Sequence, residues 1–526
     1  MTSFRALSAV PRPPLGLVLI SAIPAALVLL PIGITLADAA AAGGRQVIDL
    51  VWRPLVGVLL LNTVMLTVTA ATCCIALGTI AAFLIERTDL PGRSVWAVLA
   101  VAPLAVPAFV ASYAWVSISP DLEGFGGALI VTVFAYTPLV YLPVAAALRG
   151  LDPALEDSAR ALGDTPWRCI RRIILPQLRP AILGGALLVA LNALIEFGAF
   201  ALMRFRTFTT EIYAAYRSGF DGAEAAALAI ILLIFCLACL AAEAALRRDA
   251  HYARIGKGTR RQAAPYRFGR WRWAAIPGFA LFAFLSLCVP ILTVLFWLTQ
   301  HGAAAITPDE ASPRALLMAT LSTVELGAGA ALLTLILALP LAVLSARWPR
   351  FRLTAPLERG AWLAQGVPGI VIALALITAT VRAVPALYES TLLLLIAYAI
   401  LFMPYALVGI RAALLQADRR LEEAARSLGS NWFQVLWQVT VPLAAPGFGA
   451  AAALVFIAVS TELTATLLLA PIGTETLAIR IWGDTSTLAF AAAAPYAAVL
   501  IALSMTASWL LARRFGFTSL RVDFGD

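Results

Sequence analysis

LDPALEDSARALGDTPWRCIRRIILPQLRPAI, residues 151–182, and ADRRLEEAARSLGSNWFQVLWQVTVPLAAPGF, residues 417–448, are near-copies of one another. Asp152/Asp418, Leu155/Leu421, Arg160/Arg426, Gly163/Gly429, Pro176/Pro442 and Pro180/Pro446 all keep one offset of 266. Each copy is a long polar stretch ending in an apolar run, as expected of a structured loop between membrane spans. Asp152 followed by Pro153 is a helix start, because a carboxylate accepts from free N–H groups and proline suits the first helical position. Leu155, Ala159 and Leu162 (Leu421, Ala425 and Leu428 in the second copy) recur at i, i+4, i+7, an apolar stripe on a short helix. Glu156, Asp157 and Arg160 are expected on the opposite, charged side. Gly163 and Gly429 end that helix, where a left-handed residue is cheapest without a Cβ. Thr165-Pro166 then starts a second helix, with Asn431 as the capping counterpart of Thr165. The result is an elbow of two helices with one apolar and one charged side. One copy would fit a loop lying on lipid; two copies in register fit a docking device better.

The pattern of an acid–Ala–Ala triplet, three residues, Gly, nine residues and I-x-L-P resembles the cytoplasmic coupling loop of ABC-importer permeases. The second copy reads Glu423-Ala424-Ala425, Gly429, then Val439-Thr440-Val441-Pro442. The first reads Asp157-Ser158-Ala159, Gly163, then Ile173-Ile174-Leu175-Pro176. The second departs at the Ile and the first at the triplet, but charge sign, small size and spacing survive. The resemblance implies that Glu156, Asp157, Ser158, Ala159, Gly163 and Pro176, with Glu422, Glu423, Ala424, Ala425, Gly429 and Pro442, form surfaces that dock on two copies of an ATPase subunit.

Composition sets the class independently. Hydrophobic residues make up 62% of the 526, charged residues 13%, and mean hydropathy is +0.91, outside the range of soluble domains. A span needs about 20 apolar residues, and twelve candidates appear: 15–36, 55–85, 95–119, 126–148, 181–203, 225–246, 274–298, 316–346, 360–382, 389–411, 448–470 and 489–512. The expected fold is an all-α polytopic membrane protein of two parallel six-helix repeats, residues 1–246 and 274–526, joined by a basic linker, 247–273. The first apolar stretch follows Arg5 and Arg12 like a signal peptide, but it is too long for one and carries Pro24 and Pro31. It reads as the first span. The chain's two histidines and lack of a Gly-rich phosphate loop argue against a metalloenzyme or a built-in ATPase.

Placing both termini and both duplicated loops in the cytoplasm puts 30 of the 38 Lys and Arg on that side. The net charge of +9 is therefore topological rather than a nucleic-acid signature. The linker holds nine basic residues and one acid, and its charges are expected near anionic headgroups. With six spans per half, the halves enter the membrane in the same direction, with the pathway at their interface. Five of the six cysteines lie in or beside spans and Cys169 in the first duplicated loop; Cys236-x-x-Cys239 reads as packing, since no companion ligands lie nearby.

Carboxylates inside spans are costly and mark function by default. Glu196 and Glu462 are 266 apart, each on the span leaving a duplicated loop. They are candidates for a cation pathway or, equally, for hydrogen bonds that lock the bundle. Glu325 has no acidic partner in the other half, where position 65 is Met, and reads as packing. Pro107/Pro368 and Pro138/Pro404 mark breaks that suit bending or kinked packing. EFGAFALMRFRTFTTEIYAAYRSGFD and ELTATLLLAPIGTETLAIRIWGDTSTLAFAAAAPYA are similar to stretches of fused ferric-iron permeases, and less so to the fused thiamine permeases. That resemblance implies a periplasmic binding protein delivering iron(III) to the outer face of the bacterial inner membrane. It also implies ATP on partner subunits and no cofactor on this chain. A hard trivalent cation favours oxygen ligands, and Glu211, Tyr213, Tyr216, Asp221, Glu475 and Asp484 are on offer outside, where they serve equally as contacts for the binding protein. The rival is an ion-coupled secondary transporter, which leaves the paired cytoplasmic elbows without a purpose.

Overall fold

The computed structural model describes residues 13–42, 49, 52–219, 221–249, 265, 266, 269–300, 312–417 and 419–514. Most of the basic linker lies outside them, as does Asp418. The first half runs through α1 (Leu15–Ala42), α2 (Pro54–Arg87), α3 (Arg93–Val101), α4 (Ala108–Ile118), α5 (Phe125–Gly150), α6 (Pro153–Ala161), α7 (Leu175–Ile195), α8 (Gly198–Leu202), α9 (Phe208–Arg217) and α10 (Gly222–Asp249). The second half repeats the order. It comprises α11 (Trp271–Ala283), α12 (Val289–Thr299), α13 (Pro313–Arg347), α14 (Thr354–Trp362), α15 (Gly369–Ala383), α16 (Thr391–Gln416), α17 (Arg419–Ser427), α18 (Val441–Ser460), α19 (Thr464–Leu469), α20 (Leu477–Ser486) and α21 (Phe490–Arg514).

Among the described residues, ten helices are long and apolar enough to cross a membrane, and two further bent pairs bring the number to twelve. The fold is all-α with two repeats, as composition and period imply. Two expected spans are not straight, however. The stretch at 95–119 breaks between Ala105 and Ala108 with a bend of 89°, and that at 360–382 breaks between Gly366 and Gly369 with a bend of 108°. Pro107 and Pro368 sit in these breaks, since a proline lacks the N–H that would continue the ladder. Pro138 and Pro404 stay inside continuous helices. A second correction concerns 181–203 and 448–470. The long helices run Leu175–Ile195 and Val441–Ser460 and stop there, with short α8 and α19 following.

In each half three helices pack as a core, α2 with α5 and α7, and α13 with α16 and α18. Without a hydrophobic force between helices in lipid, close approach of backbones supplies the contact. A Cβ at Gly185 would lie 2.8 Å from Val140 Cα, and one at Gly409 would lie 2.6 Å from Ala451 Cβ, so only glycine permits either crossing. The leading helices cross between halves: α1 lies on α13, α14 and α15, while α12 lies on α4. Arg382 on α15 bonds Asp38 on α1 at 2.5 Å. One apolar core runs without interruption from α1, α7 and α10 of the first half into α13, α15, α16 and α18 of the second.

Candidate functional site

The duplicated stretches fold into matching elbows. In the first, Asp152 accepts from Ala154 N at 3.0 Å and starts α6. Gly163 takes φ +90°, and Asp164 N donates back to Ala159 O at 3.0 Å, so the left-handed residue satisfies carbonyls that the helix end leaves free. Thr165 caps the helical turn Pro166–Cys169 through Arg168 N. A π turn, Ile170–Ile174, then feeds α7 at Pro176. In the second, Gly429 takes φ +93° and Ser430 N donates to Ala425 O at 3.1 Å. Asn431 and Gln434 cap each other reciprocally, both bonds at 2.9 Å, and the π turn Leu436–Thr440 leads into α18 at Pro442. A proline one residue into each long helix cannot donate to the preceding turn, which suits the wider π register.

The facing of the elbow side chains differs from the sequence reading. Glu156 and Glu422 do not share the outward charged side: they are 4% and 5% exposed. Glu156 accepts from Arg87 Nη2 at the end of α2 and from the Tyr266 hydroxyl at 2.9 Å. Glu422 accepts from Arg347 Nη2 at the end of α13 and from Thr440 Oγ1 at 2.9 Å. These carboxylates tie the elbows to the bundle. The apolar stripe, conversely, is not turned to the bundle as a whole. Ala159 is buried, but Leu162 and Leu428 are 89% and 87% exposed, joined by Trp167, Leu421, Phe433 and Trp437. Asp157, Ser158, Glu423 and Ala424 lie on the same open surfaces, Ala425 and Pro176 are half-buried, and Pro442 is exposed. An exposed apolar patch rimmed by polar groups marks an interaction surface.

The second constellation is a cavity of about 350 Å³ between the halves. It is lined by Pro107, Tyr136, Asn192 and Glu196 from the first half and Gln365, Tyr405, Thr461 and Glu462 from the second. Both acids therefore reach one space. They do so at helix ends rather than inside spans, which corrects their placement: Glu196 ends α7, and Glu462 follows Ser460 and Thr461. Each also caps the next short helix, Glu196 accepting from Ala199 N at 2.9 Å and Glu462 from Ala465 N at 2.8 Å. The Tyr136 hydroxyl donates to Glu196 Oε2 at 2.6 Å; the equivalent position in the second half is Phe402, which lacks a hydroxyl. Broken helices at 106–107 and 367–368 meet the same cavity, and non-helical backbone at membrane depth is tolerated where it lines such a space. Sequence reasoning placed the two acids but missed Tyr136, Asn192 and Gln365, whose only signal is polarity within an apolar run.

The outside candidates stay apart from this cavity. Glu211 pairs with Arg206 at 2.9 Å and Glu475 with Arg480 at 2.7 Å. Tyr213 packs against Phe197 with the rings tilted, and Asp221 caps Glu224 N at 2.9 Å. Among the described residues no group of three or more His, Cys, Asp or Glu is placed to hold a metal, and all six cysteines are free.

A family model described as "Binding-protein-dependent transport system inner membrane component" matches the chain twice, at residues 74–251 and 338–515. The chain is 35% identical over 511 residues to the Fe(3+)-transport system permease protein FbpB 2 of Haemophilus influenzae, covering 96% of this chain and 99% of that one. It is 30% identical over 161 residues to the sulfate transport system permease protein CysW of Synechocystis sp., covering 27% of this chain and 58% of that one. A probable molybdenum ABC transporter permease protein of Haloferax volcanii is 27% identical over 170 residues, 30% of this chain and 63% of that one.

Proposed function

The chain belongs to the family of inner-membrane components of binding-protein-dependent transport systems, with two family domains in one polypeptide, and we propose that it is the iron(III)-conducting permease of an ATP-driven importer. The end-to-end match to an Fe(3+)-transport permease carries this reading. The partial matches to sulfate and molybdenum permeases cover one-third of the chain or less and support the permease class alone. A cavity edged by one carboxylate from each half, with a phenol beside the first, suits a hard cation in transit.

In this reading the two elbows dock on two ATPase subunits, which bind and hydrolyse the ATP, and this chain binds no cofactor. A periplasmic binding protein delivers the cargo to the opposite face. The positive-inside bias supports elbows and termini in the cytoplasm of a bacterium's inner membrane. The halves divide at 1–246 and 274–526, with 247–273 between them.

The geometry supports a route for the coupling. Helix α7 has 21 residues and α18 has 20, so each spans roughly 30 Å at 1.5 Å per residue. Each begins at an elbow's π turn and ends at a cavity acid. A displacement of the elbow by a closing ATPase therefore moves a cavity wall through one rigid rod. The buried Glu156 and Glu422 anchors pass the same motion to α2 and α13. Alternating access follows when the two rods move relative to the bent helices at Pro107 and Pro368.

Uptake by the full chain reconstituted with its ATPase and binding protein tests the assignment. Iron(III) should enter proteoliposomes only when ATP and the loaded binding protein are both present. Uptake of thiamine or sulfate in its place, or uptake driven by an ion gradient without ATP, would overturn it.

A further inference from the structure

Tyr266 belongs to the segment that joins the halves, yet it is not laid against headgroups. It is 8% exposed and forms a parallel bridge with Thr88 in the turn after α2. Its N–H donates to Arg87 O at 2.7 Å, and its carbonyl accepts from Asp89 N at 3.3 Å. Arg160 of the first elbow lies over its ring at 4.7 Å, and Phe83 packs beside it. Its hydroxyl reaches Glu156, the carboxylate that Arg87 also holds. Burial raises the phenol above its ordinary value, so it remains a donor. A few residues on, Arg272 pairs with Asp89 at 3.2 Å and Phe279 stacks on Trp96. This end of the connection is thus seated in the first elbow's base.

The second elbow shows what the hydroxyl replaces. There Glu422 is bonded by Arg347 and by Thr440, the last residue of its own π turn. The position equivalent to Thr440 in the first half is Ile174, which is buried and has no donor to offer. A buried carboxylate needs its remaining lone pairs satisfied, and leaving one orphaned is costly. We propose that Tyr266 is a positioning residue for coupling: it supplies, from the inter-half connection, the donor that the first elbow lacks at Ile174, and so makes the first elbow's stance depend on the joining of the two halves. In the second elbow the corresponding donor, Thr440, is local. This rests on the elbows being the ATPase docking surfaces.

The test uses the full transporter with single cysteines at Ser158 or Ala424 for cross-linking to the ATPase. Tyr266→Phe keeps the ring beneath Arg160 and the backbone bridge, and removes the hydroxyl that faces Glu156 and Arg160. It should lower cross-linking at position 158 and iron uptake by about fivefold, from the loss of one hydrogen bond to a charged group, with position 424 unaffected. Adding Ile174→Thr should restore both, because it rebuilds the arrangement of the second elbow. Thr440→Val should produce the mirror pattern, lowering position 424 alone. Unchanged cross-linking at 158, or an equal fall at both positions, would overturn the proposal, and so would failure of Ile174→Thr to restore. The docking reading is separable: were it wrong, neither cysteine would cross-link to the ATPase in the parent chain.

Discussion

At Gly163 and Gly429 the backbone takes nearly the same left-handed φ, +90° and +93°, and both elbows pass through a π turn into a long helix that starts with Leu-Pro or Val-Pro. The carboxylate beneath each elbow is nevertheless held by different donors, a linker tyrosine in the first and a local threonine in the second. The cavity shows the same division: both acids cap the helix that follows, but only Glu196 has a phenol on it. Backbone geometry that depends on glycine or proline has few chemical substitutes, so the two halves share it. A hydrogen-bond donor can come from any neighbouring element, so the halves differ there.

The largest effect should come from removing the anchors. Glu156→Ala or Glu422→Ala leaves Arg87 or Arg347 buried without its anion, at a cost of about 3–5 kcal/mol. Chain level in the membrane and uptake should both fall, and to a similar degree for the two. A loss confined to one half would break the equivalence. Next come the turns. A Cβ at Gly163 or Gly429 meets nothing within 4 Å, so a valine there is strained by its positive φ alone, by about 1–2 kcal/mol. The chain should still accumulate while uptake falls about fivefold through lost coupling. Wild-type ATPase association and uptake in both variants would remove the elbows from the mechanism.

The cavity acids sharpen the comparison further. Glu196→Gln and Glu462→Gln keep shape and the acceptor for the helix cap but remove the charge. If the charges draw a cation along the pathway, each change slows uptake about twofold to threefold and the double change slows it more, since both act in one low-dielectric space. Normal uptake in the double variant would reduce both residues to caps. Smallest should be Tyr136→Phe, which makes the first half resemble the second at this position: Glu196 keeps its charge and its bond from Ala199 N, as Glu462 does with a phenylalanine opposite, so uptake should change by less than about twofold.

Much of this was legible in the chain itself. The elbows were, because capping and turn residues act through their immediate neighbours, so Thr165, Asn431 and the two glycines mean the same in any surroundings. The number of spans was also legible, because hydropathy integrates over the length of a helix. Direction is invisible to hydropathy, so the paired prolines marked candidate breaks but did not separate Pro107 and Pro368, where the chain bends sharply, from Pro138 and Pro404, which stay inside continuous helices. For the same reason the expected spans at 181–203 and 448–470 overran the helix ends at Ile195 and Ser460. The apolar α8 and α19 follow without a polar gap. Facing failed at Glu156 and Glu422 because an amphipathic pattern shows two sides but not which one a neighbour covers. Here Arg87 and Arg347 make burial of a charge possible, while Leu162 and Leu428 are left to the open side. Tyr266 was lost among the charges of its segment, where composition dominates and a single pairing across 110 residues leaves no local trace.

The most direct test of the paired elbows is the number of ATPase subunits that bind the purified chain in lipid nanodiscs. Leu162→Asp and Leu428→Asp place a charge at the centre of each exposed apolar surface without touching the anchors beneath. Two subunits should bind the parent chain, one should bind either single variant, and none should bind the double variant. Two subunits still bound to the double variant would contradict the account.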